Sequence, residues 1–374
     1  MAGGERIVTA GRGDIPPSRL ALLDLLRLLA ALAVVGYHYL YRGAQEGGFL
    51  DTSFGRAGDV LSLGYLGVNL FFMISGFVII WSASGRDWYG FAVGRIARLY
   101  PAHLVAMTLT ALVMLLWSAP PFTVNLTQWF ANLTMLAPLL GQPFMDGAYW
   151  SIALEIIFYG WVTLGLMTGI LPRQTDRFVA AWLAIVLLNG LVIGSSVLEL
   201  LFVTRYGACF CFGIMVWRVL AEGPAPLRMG LLGLSMMLTF LSAEWQRLEV
   251  LEAYGEASTP TMVAGANLAV IALFCVAIFA QRHVRQSPFL VTAGALSYPL
   301  YLIHQNAGYI VINAAAPHIG KWAAVAFAVV VALAAAWAIS RFVEPLGRAV
   351  IRTIFDPVGR SRPRRRSERI VAAE

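Results

Sequence analysis

The sequence predicts an all-α polytopic integral membrane protein of about ten transmembrane helices with both termini cytoplasmic. Three observations carry that prediction. Apolar residues make up 59% of the 374 and charged residues only 13%, roughly half the charged share of a soluble domain. Apolar runs of membrane-crossing length recur at 20–41, 62–82, 99–118, 149–171, 178–197, 199–220, 227–243, 261–281, 290–313 and 322–343; about 20 residues are needed to cross a bilayer as a helix. With the N-terminus inside, 21 of the 27 basic residues fall in cytoplasmic segments, the bias that sets membrane topology. The same placement removes the nucleic-acid partner that a net charge of +7 would otherwise invite.

Taken in order, residues 1–18 form a Gly-rich cytoplasmic tail, 19–348 a transmembrane domain, and 349–374 a basic cytoplasmic tail suited to anionic lipid. The first apolar run is too long for a signal peptide's apolar core and has no small-residue cleavage site, so it is expected to stay as the first span. The run from Trp129 to Leu140 is too short to cross and holds Pro138, which predicts a re-entrant or interfacial segment. Cys209, Cys211 and Cys275 lie in apolar runs and are read as small core residues. The five histidines show no ligand spacing, so no metal is predicted.

The first span, RLALLDLLRLLAALAVVGYHYLY, carries Asp24, Arg27 and His38. Ionisable groups at membrane depth are costly and mark functional positions. Eleven residues close to within about 20° of whole turns, so Arg27 and His38 share a face about 16 Å apart along the axis. Asp24, one turn before Arg27, is its expected ion partner. His38 suits a general base at neutral pH. Glu155, in YWSIALEIIFYG, enters from outside and is expected near the level of His38, where a carboxylate orients or charge-balances an imidazole; Ser151 shares its face. Arg95 and Arg98, in GRIARLYP, are expected at the cytoplasmic mouth of the third span, where paired guanidiniums suit a phosphate. The run LSYPLYLIHQN places Tyr298, Pro299, Tyr301, His304 and Asn306 in the ninth span, and Arg205 is read as a buried cation near the outer side of the sixth.

Together these stretches resemble the membrane acyltransferase-3 family. LDLLRLLAALAVVGYH is similar to its Arg-x10-His helix, GYLGVNLFFMISGFVI to its second span and GRIARLYP to its Arg-x-x-Arg segment. YWSIALEIIFY resembles its Trp-and-Glu helix at Trp150 and Glu155, and LSYPLYLIH and SRFVEPLGR its last two spans. Leu25 and Leu26, where the family often has a Gly after the Asp, and Gly94, where another basic residue is common, depart from the pattern. The resemblance implies a bacterial inner-membrane O-acyltransferase that takes an acyl group, expected to be acetyl, from cytoplasmic acyl-CoA held by Arg95 and Arg98. The acceptor it implies is a sugar hydroxyl in an exopolysaccharide, lipopolysaccharide or related glycan. His38 is then the base or the acyl carrier, Glu155 its orienting partner, and Arg27 a lining residue placed to stabilise an oxyanion. The chain is expected to lack the extracytoplasmic hydrolase-like domain of some members, which leaves transfer to the membrane domain or to a polysaccharide-assembly protein. The rival readings are a transporter or flippase using Arg27, Glu155 and Arg205, a non-catalytic scaffold, and an acyltransferase for a small-molecule glycoside.

Overall fold

A computed structural model describes residues 20–45, 48–117, 121–255 and 258–360. The expected N-terminal tail at 1–18 lies outside the described residues, as do residues 361–374 of the expected C-terminal tail at 349–374, with most of the Arg cluster; the first twelve residues of that tail are helical. Among those described, all regular structure is helical. In order the helices are α1 (Ala21–Gly36), α2 (Arg56–Leu61), α3 (Gly67–Ala83), α4 (Trp88–Trp117), α5 (Leu126–Asn132), α6 (Tyr149–Met167), α7 (Thr175–Leu188) and α8 (Ser196–Phe202). They continue with α9 (Gly207–Glu222), α10 (Pro226–Tyr254), α11 (Pro260–Ala280), α12 (Pro288–Ile303), α13 (Gln305–Ile319), α14 (Lys321–Ala338) and α15 (Glu344–Arg360).

Nine helical stretches among the described residues are long and apolar enough to cross a bilayer, and each coincides with an expected run. The remaining run, 290–313, the ninth in order, differs: it is two shorter helices, α12 and α13, meeting at His304. Broken helices at membrane depth are tolerated where protein satisfies the freed backbone groups. Here that protein is specific. The Tyr39 hydroxyl donates to the His304 carbonyl at 2.6 Å. Asp146, fully buried, accepts from the Asn306 backbone N–H at 2.9 Å, and Asn306 Nδ2 donates to the Met145 carbonyl at 3.1 Å.

The exterior of the bundle is apolar. Leu116, Val192, Met237, Val276, Phe279 and Val330 are all exposed, as lipid-facing positions are, while Asn69, His103, Thr110, Ser235, Thr239 and Asn267 are fully buried. In a bilayer polar groups gather at helix interfaces because lipid offers them no partner. Cys209 and Cys211 are buried and Cys275 half-buried, all three as free thiols, in keeping with packing roles.

Helices α3 and α9 pack closely because Gly213 lets them touch. A Cβ at Gly213 would overlap the Met73 carbonyl oxygen, a backbone atom that cannot swing away. Small residues at such crossings are what allow membrane helices to approach. Gly213→Val is therefore expected to destabilise the bundle by about 1–3 kcal/mol or more, the range for overpacking a filled interior. A Tm in detergent that matches the wild type would contradict this.

The segment between α4 and α6, too short to cross, forms the short helix α5 and a turn at Ala137–Leu140 and folds back against α4. The Asn132 carbonyl, at the end of α5, meets His103 Nε2 at 2.9 Å, and His103 lies halfway along the 30-residue α4. Asn132 is itself fully buried, with its amide donating to the Gln128 and Pro143 carbonyls.

Candidate active site

A narrow cavity of about 70 Å³ lies inside the bundle between α1, α3, α4, α6 and α12. Its wall brings together Arg27, Arg95, Arg98 and Glu155, which the sequence singled out from three separate spans, with Ser151, Tyr159, Tyr298 and Tyr301. Arg27 pairs with Asp24 at 3.3 Å, as their spacing predicts. Three guanidiniums thus share one chamber with the Glu155 carboxylate in its wall and Asp24 paired to Arg27 beside it. Such a chamber favours an anion carrying more than one charge.

Arg95 and Arg98 sit differently from expectation. They are not at the mouth of a helix beginning near 99, because α4 begins at Trp88 and carries them two to three turns in. The stretch WYGFAVG extends the helix at its N-terminal end, with Phe91 buried. The Arg95 guanidinium lies over the rings of Phe91 at 5.5 Å and Tyr159 at 5.9 Å, while its buried Nε has no hydrogen-bond partner. Ring faces hold a cation in place without consuming its donors. A buried donor left open is costly unless something fills it.

Glu155 does not orient His38. It accepts from the Ser75 hydroxyl at 2.5 Å and from the Tyr159 hydroxyl, and it faces the arginines. Counting turns from the start of α6 places it near His38, but in the bundle Glu155 lines the cavity together with Arg27, and His38 does not. For the same reason Arg27 is not an oxyanion donor for chemistry at His38. The two are about 16 Å apart along α1, and His38 is not part of the cavity wall. Arg27 belongs with the Arg95–Arg98 pair.

His38 lies in a five-residue π turn, Tyr37–Tyr41, that continues α1. Such turns widen a helix locally and recur at functional sites. Its Nδ1 is 2.9 Å from His304 Nε2, with the ring centroids 4.9 Å apart. His304 is fully buried, and its Nδ1 is 2.8 Å from the Tyr301 carbonyl. Tyr301 also lines the cavity, where its hydroxyl meets Ser151 Oγ at 2.7 Å. The His38 pair therefore adjoins the arginine-lined cavity through a single residue of α12. On the other side of His38 lie Tyr309, edge-on at 6.5 Å, and Phe49, which stacks on Tyr309 at 5.1 Å. Arg42, one turn beyond His38, covers the Tyr254 ring at 3.7 Å.

A glycine makes this packing possible. A Cβ at Gly308 would overlap the Tyr39 hydroxyl that holds the His304 carbonyl. Sequence reasoning noted His304 within its run but gave it no role, since nothing local links it to a residue 266 positions away. Tyr159 was legible in principle, because it stands one turn from Glu155. Ser75 had no such signal. Arg205 is not a lone buried cation. It is partly exposed and paired with Glu199 at 3.1 Å and with Glu249, away from the cavity. Among the described residues, no three His, Cys, Asp or Glu side chains gather as a metal site requires.

Comparison with known proteins adds to this geometry. The acyltransferase-3 family model, described as an acyltransferase domain, matches residues 20–341. The acyltransferase MdmB of Streptomyces mycarofaciens is 35% identical over 156 residues, 39% of this chain and 39% of that protein. Protein 2 in the picA locus of Rhizobium radiobacter is 37% identical over 102 residues, 26% of this chain and 46% of that protein. The chain thus spans less than half the length of either relative in its matched stretch. No solved structure matches. The family model runs through all nine long apolar helices, from the start of α1 into the last of them, and the chain is therefore a multi-pass membrane protein belonging to the acyltransferase-3 family.

Proposed function

We propose that this protein moves an acyl group from acyl-CoA to a hydroxyl of a sugar in a bacterial glycan, in the inner membrane. Acetyl is the acyl group we propose, and an exopolysaccharide or lipopolysaccharide the acceptor. The observation that carries the reading is the convergence of Arg27, Arg95 and Arg98 on one cavity that adjoins the His38–His304 pair. Acyl-CoA is a polyanion at one end and a thioester at the other. Its phosphates fit the guanidinium cluster, and its pantetheine arm bridges the distance along α1 to His38. The donor enters at the cytoplasmic end, where α4 begins, and the acceptor approaches from the opposite end, past Tyr309 and Arg42.

At His38 the acceptor hydroxyl gives its proton to the imidazole as its oxygen attacks the thioester carbonyl. The tetrahedral intermediate collapses, the C–S bond breaks, and the departing CoA thiolate takes the proton back from His38. Glu155, tied to Ser75 and Tyr159, balances part of the guanidinium charge and sets its geometry before the donor arrives.

The transporter reading loses one of its three residues, because Arg205 is engaged with Glu199 and Glu249 outside the cavity. The test is thiol release from radiolabelled acetyl-CoA by the purified protein, with a glycan pool as acceptor. Turnover with label in the glycan is expected. Folded protein that neither binds nor consumes acyl-CoA would overturn the reading and bring transport forward.

A further inference from the structure

We infer that His304 is a positioning residue that fixes the tautomer of His38, leaving Nε2 of His38 as the bare nitrogen that receives the acceptor's proton. The inference rests on the acyl-transfer reading above but is decided by which hydrogens the bundle's own contacts require. A carbonyl oxygen only accepts, so the 2.8 Å contact between His304 Nδ1 and the Tyr301 carbonyl requires a hydrogen on Nδ1. A neutral imidazole carries one N–H, so His304 Nε2 holds a lone pair. That lone pair faces His38 Nδ1 at 2.9 Å, which makes His38 Nδ1 the donor. His38 then has its own single hydrogen on Nδ1, and its Nε2 is unprotonated.

The neutrality of His304 follows from its setting. It is 0% exposed, and its two ring nitrogens are taken by a carbonyl and by another imidazole. A buried imidazolium with no anion beside it is strongly disfavoured. The carbonyl that fixes the first hydrogen is itself held still. It belongs to the helix junction that Tyr39 pins through the His304 carbonyl and that Asp146 pins through the Asn306 N–H. A proton-transfer group needs this kind of support to stay within reach of its target.

The arrangement does with a neutral ring what a carboxylate does in a Ser–His–Asp triad. When His38 Nε2 takes the acceptor's proton, the Nδ1–H of the resulting imidazolium points at a lone pair, and positive charge spreads onto His304. When the thiolate leaves, the proton returns from Nε2 and both rings are neutral again. No permanent anion has to be buried beside His38, which accounts for Glu155 being free to serve the arginines.

The test combines a spectroscopic and a kinetic reading on the full chain in nanodiscs. In ¹⁵N-histidine-labelled protein at neutral pH, the His38 signals, assigned with His38→Asn, are expected to show a protonated Nδ1 and a bare Nε2. His304→Leu is expected to abolish that preference and to lower kcat by roughly a hundredfold or more, with KM for acetyl-CoA unchanged because the arginines are remote. His304→Gln, whose side-chain oxygen can accept from His38 Nδ1, is expected to recover most of kcat. Protonated Nε2 on His38 in the wild type would overturn the inference whatever the activity. So would folded His304→Leu turning over normally, or His304→Gln no better than His304→Leu. The expected tautomer in a protein that consumes no acyl-CoA would sink the acyl-transfer reading while leaving the pairing of the two rings established.

Discussion

Replacing Arg95 and Arg98 together by alanine is expected to weaken acyl-CoA binding by about a hundredfold or more. A hydrogen bond between a guanidinium and a phosphate is worth about 1.5–3 kcal/mol, and about 1.4 kcal/mol is a factor of ten in affinity. With both guanidiniums removed, Arg27 holds the phosphates alone. The apo protein should not be destabilised by the change. Three guanidiniums share the cavity, and the buried Arg95 Nε has no partner, so removing two cations relieves repulsion. Thermal melts separate binding from folding. Acetyl-CoA should raise the Tm of the wild type, because ligand binding to the native state stabilises it, and should leave the double variant unmoved. Arg95→Lys/Arg98→Lys is expected to fall between the two, since lysine keeps the charge but loses the forked geometry. A double alanine variant with unchanged affinity would remove the arginine cluster from the donor site.

The limit of what the sequence made legible falls at particular residues. The apolar runs marked nine of the long helices because a bilayer fixes their length, and Asp24 and Arg27 were paired because one turn separates them. These are properties of a single helix. The placement of α6 relative to α1 is a property of the whole bundle, and it decides whether Glu155 meets His38 or Arg27. Counting turns from the start of each helix could not supply it. The same holds for His38 and His304, which meet only because α12 breaks into α13 beside the π turn that extends α1. Pro299 signalled a disturbance in that run, but the break falls at His304, where Tyr39 and Asp146 hold the freed groups.

His38→Ala is expected to lower kcat by about 10²–10⁴-fold, the contribution of a positioned general base, with little change in affinity for acyl-CoA. The split follows from distance. His38 lies about 16 Å along α1 from Arg27, and the arginine-lined cavity does not include it. A residue that merely held the helices together would lower affinity and stability along with turnover. The variant should therefore bind acetyl-CoA, shift its Tm in its presence as the wild type does, and release thiol slowly. Acid-quenched wild type incubated with labelled acetyl-CoA and no acceptor should carry no label on protein, because the base acts on the acceptor hydroxyl and has nothing to activate without it. Label retained on wild type and absent from His38→Ala would instead assign His38 the nucleophile's role. Full thiol release by His38→Ala would move the chemistry elsewhere in the bundle, with Glu155, already bonded to two hydroxyls in the cavity, the next group to substitute.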